Sequence, residues 1–324
     1  MADLTTSDVL KVNNSEEIVG LIDEVIKTNP EVTYFSASPV IRNSYKTLCA
    51  TGLPSVGFRA PGNYRTFDAG ALSTKQIDCK HLDASWTIEK ALATQADWGK
   101  EFMLAFMAKN HLKAAFFELA KQTWYGTNNN ADGFSGLHEI IDAVVENDVK
   151  TMAINANPGT VLTDASSVFA VRTGLDSVQY AWGSEGRLVE GDVREEFVER
   201  VNATTNRLEG KNHYFQELSG WVGLQVTSKN AAAKIEGLSS TGSNKGLDDE
   251  LLYQLLRLFP AGEGPTALFM SRRSLWQLRK SRTATNATGA PAPIPTEFES
   301  IPIYCTDAIL DNETFSDDGS SSGS

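Results

Sequence analysis

Apolar positions along the chain follow two periods, and the change from one to the other marks out the elements. Ile18, Leu21, Ile22, Val25 and Ile26 recur at three- and four-residue spacing, which predicts a short helix over 15–30 with Ser15 as N-cap and Pro30 beyond its end. A helix this short needs another surface to bury its apolar face. From Tyr45 to Glu89 the pattern turns strand-like. "YKTLCATGLPSVGFRA" is followed by the breaker-rich "PGNYRTFDAGALS", and alternation across Gln76–Leu82 and Trp86–Ile88, broken by "DAS", predicts a hairpin. Gly52, Pro54, Gly57, Pro61, Gly62 and Gly70 make this stretch an extended excursion that something outside the subunit has to cover.

The longest helical signal covers about 97–125. Trp98, Phe102, Phe106, Leu112, Phe116 and Leu119 form a stripe, widened by Met103, Met107, Phe117 and Trp124. At 1.5 Å per residue such a helix is about 40 Å long, a backbone element against which several layers pack. "LHEIIDAVVEN" predicts a shorter helix, and residues 151–235 read as mostly strand. Within them "SSVFAVRTGLDSVQYAWG" predicts a hairpin about Gly174-Leu175-Asp176, and "SGWVGLQVT" a further strand. "LDDELLYQLLRLFP" is an amphipathic helix with acidic residues at its positive end. "PTALFMS" is a buried strand, "RRSLWQLRKSR" a basic helix, and "IPIYCTDAIL" a closing strand. "DNETFSDDGSSSGS" reads as a disordered acidic tail.

The stretch "NNNADGFSGLHE" raises a question of chemistry. Asn128, Asn130 and Asp132 stand at the first, third and fifth positions, Gly133 at the sixth and Glu139 at the twelfth, the spacing of a calcium loop. Asn128 removes the charge usually supplied first, and Ser135 replaces the apolar residue expected at position eight. The second reading is a helix stop in which Gly126 ends the long helix and Asn128–Asn130 tolerate left-handed backbone.

Composition narrows the field further. A length of 324 residues and 41% hydrophobic content fit an ordinary globular protein with a large core. The net charge of −12 argues against affinity gained by neutralising phosphates, though not against enclosing nucleic acid. Cys49, Cys79 and Cys305 are widely spaced and show no metal-like pattern, so reduced thiols are expected. No apolar run reaches the ~20 residues of a membrane helix, and "MADLTTSDVL" lacks the regions of a secretory signal; a cytoplasmic origin is expected. "GFSGL" and "GLSSTG" both miss the G-x-S-x-G spacing of a nucleophile elbow, no phosphate-cradling glycine loop occurs, and His81, His111, His138 and His213 are isolated. No catalytic residue, cofactor or enzymatic activity is expected. The basic run of Arg272, Arg273, Arg279, Lys280 and Arg282 fits phosphate contact, a solvated face or an inter-subunit ion-pair patch.

Three phrases in this order, "QTWYGTNNNADGFSGL", "PTALFMSRRSLWQLRKSRT" after "DDELLYQLLRLF", and "SIPIYCTDAI", resemble the major capsid proteins of tailed bacteriophages, the Hong Kong 97 fold. The resemblance covers most of the chain by order. It implies an α+β fold with an N-terminal arm over 1–48 and an extended loop, the E-loop, over 49–90. A peripheral domain over 91–140 and 283–312 would hold the long spine helix. An axial domain over 141–282 would carry a β-rich elaboration about 151–235, with a flexible acidic tail over 313–324.

It further implies a self-assembling icosahedral shell of hexamers and pentamers around double-stranded DNA, found in the virion and assembled in the host cytoplasm. A separate scaffolding protein and a portal are expected partners, and a decoration protein is another. Arg59, Tyr64, Arg65, Phe67, Lys75 and Lys80 of the extended loop, with Trp98 and Phe102 at the start of the spine helix, are the candidates for contacts between subunits. An encapsulin-like cargo shell is the alternative with the same fold, and a calcium-binding protein using Asn128–Glu139 is the alternative of another class.

Overall fold

Breakers and caps divide the chain where the periodicities change. The computed structural model describes residues 27–64, 70–97, 99–147, 152–186, 188–201, 208–239, 241, 245–284 and 290–316. The helix predicted over 15–30 lies almost wholly outside them. A single turn, α1 (Glu31–Tyr34), leads to a short strand, β1 (Ala37–Pro39). The long strands β2 (Ser44–Gly52) and β3 (Ala71–Asp78) pair antiparallel as a ribbon of their own. The short strands β4 (Lys80–Asp83) and β5 (Trp86–Glu89) and a five-residue helix, α2 (Lys90–Thr94), then lead into the spine helix α3 (Lys100–Tyr125). Its 26 residues span about 39 Å.

Beyond it come α4 (Leu137–Asn147) and β6 (Ala153–Asn155). The β-rich stretch consists of β7 (Val161–Val171), β8 (Val178–Trp182), β9 (Leu188–Glu190), β10 (Arg194–Val201), β11 (Leu208–Gln216), β12 (Leu218–Val226) and β13 (Ala232–Leu238). Helix α5 (Asp249–Arg257) starts at Asp248, whose side chain accepts from Leu251 N at 2.9 Å, a regular N-cap. Strand β14 (Ala267–Met270), helix α6 (Arg272–Ala284) and strands β15 (Glu297–Phe298), β16 (Ile301–Cys305) and β17 (Glu313–Ser316) complete the described chain.

The strands of the described residues fall into four sheets. The central one runs β15-β16-β14-β7-β13-β6, with β17 added along β7. A second runs β1-β8-β12-β4, with β9 on β12; a third is β10-β11-β5; the fourth is the β2–β3 ribbon. Both predicted hairpins dissolve in this arrangement. Gln76–Asp78 end β3 in the ribbon, β4 pairs with β12 and β5 with β11, so 80–89 feeds two sheets that close more than a hundred residues later. The turn at Gly174 does form, with Val178 N donating to Arg172 O at 3.1 Å. Its flanking strands part, however, β7 into the central sheet and β8 into the second. Alternation reports which face of a strand is buried and is silent about its partner.

The main core lies where the spine helix crosses the central sheet. Trp124 is fully buried, stacked on Phe169 at 4.8 Å and tilted against Phe269 at 5.2 Å, with Phe35 edge-on at 6.0 Å. The helix's buried side runs through Met103, Leu104, Ala115, Leu119, Ala120 and Trp124, whereas Phe102, Phe106, Phe116 and Phe117 are half-buried. Of the predicted stripe Leu119 reaches the core while Phe102, Phe106, Leu112 and Phe116 form its shoulder, and of the widening residues Met103 and Trp124 are buried while Met107 and Phe117 are not. The first half of α3 packs on a smaller cluster of Trp86, Ile88, Ala93 and Tyr214.

The acidic tail begins later than its composition predicts. Glu313 is tied by Tyr125 Oη at 2.5 Å and Ser167 Oγ at 2.6 Å, and the Phe315 ring covers Gly237. Two donors and an aromatic cover hold 313–316 as a strand despite the polar sequence.

Burial also sets a pH dependence at the root of the N-terminal arm. Glu31 is completely buried and accepts from Trp124 Nε1 at 3.0 Å and Thr306 Oγ1 at 2.9 Å, while its Oε2 has no partner. Burial raises its pKa above the usual carboxylate range. A raised acid favours the fold at low pH and withdraws that support as pH rises through the folded value. Glu31→Gln is expected to melt above the wild type at pH 8 and to show a smaller difference at pH 4, measured by thermal denaturation across that range.

Candidate assembly surfaces

The turn behind the spine helix is built for close backbone approach. Gly126 closes the helix at φ 59°, and a Cβ there would stand 2.1 Å from Gly136 N. A Cβ on Gly133 would meet the Gln122 amide at 2.2 Å. Gln122 Nε2 donates to Phe134 O at 2.8 Å and to Asn130 O at 3.2 Å, pinning the turn to the helix. Asn129 Nδ2 reaches Glu118 Oε1 at 2.8 Å, and Asn130 Oδ1 accepts from Asp132 N at 3.1 Å. Asn129 keeps right-handed backbone, and neither Asn128 nor Asn130 is among the positive-φ residues, so the asparagines serve through their amides and not through left-handed conformation. Glu139 turns to Thr127, accepting from its N–H at 2.7 Å and from its hydroxyl. Among the described residues no three His, Cys, Asp or Glu side chains stand together as a metal-binding group.

The extended ribbon ends in a loop whose apolar side chains lie open. Leu53, Val56, Phe58 and Tyr64 are 80–111% exposed. Arg59 Nη1 donates to Asn63 O at 2.5 Å, which folds the loop on itself. Gly70, at φ 75°, returns the chain so closely that a Cβ would meet Gly52 O at 2.8 Å. Arg65, Phe67 and Trp98 lie outside the described residues. The remaining candidates are placed differently from the tip. Lys75 is exposed as a residue, but its ammonium donates to Val226 O at 2.9 Å, where burial lowers its pKa. Lys80 sits in β4 opposite Val222, and Phe102 packs against the Trp86 cluster while stacking on Phe106 at 6.4 Å.

The base of the ribbon is clamped to the end of β12. Tyr45 donates to Gln225 Oε1, Lys75 to Val226 O and Cys49 Sγ to Thr227 O at 3.7 Å, three successive positions held from one side. Beneath the clamp lies a cavity of about 560 Å³ floored by Leu137, Ile140 and Ile141.

The basic run is mostly spent within the subunit. Arg282 grips Asp249 with Nε and Nη2 at 3.0 and 2.7 Å. Arg273 donates to Asp164 O and Asp311 O, and Arg279 to Ala292 O. Sequence reasoning missed the buried ion cluster behind α4. Lys234, wholly buried, contacts Asp142 Oδ1 and Glu236 Oε2 at 2.6 Å each, with His138 Nδ1 3.0 Å from Asp142. A lone lysine inside the apolar run "AAAKIEGL" was the available signal.

These features are those of a framework with open contact surfaces, and comparison with known proteins gives the same answer. A family model described as major capsid protein GP7 matches residues 17–316. The chain belongs to that family. It is a structural capsid subunit of the tailed-bacteriophage type, a component of the virion that assembles with its own copies into a shell. Among solved structures, a chain of bacteriophage epsilon15 is 17% identical at a TM-score of 0.67, with 97% of each chain covered, and so has the same fold. The capsid of bacteriophage JBD30 is similar at 10% identity and a TM-score of 0.49, with 95% of this chain and 99% of that one covered. The holo-SrpI encapsulin complex of Synechococcus elongatus stands at 8% identity and a TM-score of 0.44, covering 76% of this chain and 100% of its own. No curated protein matches the sequence.

Proposed function

We propose that this capsid subunit builds an icosahedral head of hexamers and pentamers around double-stranded DNA, without catalytic activity of its own. Assembly takes place in the bacterial host's cytoplasm with a separate scaffolding protein and a portal, and a decoration protein is a further partner. The observation that carries the reading is the ribbon loop, where Leu53, Val56, Phe58 and Tyr64 find no cover within the described part of their own subunit. Apolar groups presented this way fit burial against a neighbouring copy, as in large obligate interfaces. The net charge of −12 keeps the inner wall from gripping the packaged genome. In domain terms, β2–β3 is the E-loop and α3 the spine. Strands β10 and β11, joined to β5 beside α3, belong with the peripheral domain and not with an axial elaboration.

Gly52 pairs with Ala71, so residues 54–69 can be replaced by a Gly-Ser turn without disturbing the ladder. That variant is expected to fold with the wild-type melting temperature and to form few or malformed particles by electron microscopy. Normal closed shells from it would remove the loop from the assembly contacts.

A further inference from the structure

Strand β10 is an open sheet edge with an unusual sequence. It pairs with β11 over eight unbroken positions, Arg194↔Phe215 to Val201↔Leu208, with no bulge and no proline. Its other edge carries no strand among the described residues, so about half of its N–H and C=O groups point outward unpaired. The strand is exposed on both faces, with Phe197 at 62%, Val198 at 42% and Val201 at 56%. Natural edges of this length are guarded by bulges, prolines or charges, and β10 has only charges. The charges here are of both signs, Arg194 and Arg200 with Glu195, Glu196 and Glu199, and their placement decides which register a second copy could take.

Side chains alternate, so Glu196, Val198 and Arg200 share one face, and Glu195, Phe197, Glu199 and Val201 the other. The second face begins at Glu195, which Lys90 holds at 2.7 Å beside Tyr214, so it is the face continuous with the subunit's own core. When two antiparallel copies meet about a twofold axis at Val198, Glu196 stands opposite Arg200 of the partner subunit, and the reverse pair repeats the contact. Val198 faces its own copy, and Phe197 lies beside Glu199 of the partner subunit. The neighbouring registers fail on charge. A centre at Phe197 sets Glu195 against Glu199 and Arg194 against Arg200, and a centre at Glu199 sets that carboxylate against itself. Like charges directly opposite are destabilising, so the sequence selects the Val198 centre.

We propose that β10 pairs with β10 of a second copy, joining two subunits by a continuous six-stranded sheet across a twofold axis of the shell. This rests on the self-assembly reading and names one of its contacts. The interface is isologous, as a twofold contact requires, and uses main-chain bonds for strength and the Glu196–Arg200 pairs for register.

A charge swap in the full-length chain tests it. Glu196→Arg and Arg200→Glu each create two like-charge pairs at the axis and are expected to cut the yield of shells by about tenfold. The double variant E196R/R200E restores both pairs between copies and is expected to recover most of the yield. Within one subunit Glu196 is ion-paired to Arg194 at 2.7 Å and stands opposite His213 in the ladder, and Arg200 stands opposite position 209, so intramolecular penalties of the single changes persist in the double and cannot produce recovery. A second arm uses Val198→Cys. Opposite residues of antiparallel strands lie about 4.5–5.5 Å apart at Cα, within disulfide reach, so mild oxidation should give a covalent dimer that the wild type, with its three native thiols, does not give. Single swaps that assemble like the wild type, a double as defective as the singles, or no V198C dimer would overturn strand pairing. A wild-type chain that forms no closed particles would overturn the shell reading instead, and V198C dimers in solution separate the two.

Discussion

Gly136→Ala is expected to abolish the folded subunit or to lower its stability by about 3 kcal/mol or more. The added methyl would lie 2.3 Å from Gly126 N, 2.8 Å from Trp124 O and 2.9 Å from Gln122 O. All three are backbone atoms at the end of the spine helix, so no side chain can swing aside. The helix end would have to move, and Trp124, which carries the central aromatic cluster, would move with it. Gly159→Ala is the control. Unlike Gly136 it has a positive φ, of 75°, but open space around its Cβ, so it carries only the left-handed backbone penalty of about 1 kcal/mol. Urea denaturation of both purified variants reads the difference. Equal midpoints would mean that the turn is loosely packed.

Lys234→Met is expected to cost about 3–5 kcal/mol and to reverse the local pH dependence of stability. In the wild type Asp142 is held below the usual carboxylate range: burial opposes this, but the His138 and Lys234 contacts prevail. A lowered acid supports the fold at neutral pH and loses that support as pH falls through the folded value. With the ammonium gone, the burial that opposes ionisation of Asp142 prevails, and the fold favours its protonated form. The variant should therefore gain stability on acidification where the wild type loses it. Thermal melts between pH 4 and 8 check the sign, and parallel slopes for the two proteins would deny the cluster its role. Replacing the three groups together, as K234M/D142N/E236Q, should recover much of the loss, because no unpaired charge is then left behind.

Legibility in the sequence followed the range of the forces involved. The spine helix, its glycine stop and the capped helix after Asp248 are set by local spacing and local hydrogen bonds, and they stand where the pattern puts them. The exposed loop tip was legible too, since glycines and prolines around Leu53, Val56 and Phe58 leave no element to bury them. Strand partnership was not. β5 meets β11 through Trp86↔Gln216, a choice made by the core around Ile88 and Tyr214, and nothing near residue 86 encodes it. The same limit hid β17, whose glutamate is satisfied by a tyrosine 188 positions away. Lys75 shows the limit for single residues. Its place in an extended loop promised an exposed amine, whereas the carbonyl of Val226 draws it inward.

The two ends of the described chain are fastened to each other. Thr28 N donates to Asp307 Oδ2 at 2.7 Å, Asp307 N returns the bond to Thr28 O at 2.9 Å, and Thr306 Oγ1 adds a third at 3.3 Å. Pulling on the arm loads these bonds together, and the load passes into β16 and the central sheet before it reaches α1. The clasp is thus a mechanical anchor. Tension applied at Thr28 is borne by a seven-stranded sheet and not by a hinge. Force entering at Thr28 therefore bypasses α1 and is spread over the strands that carry the core.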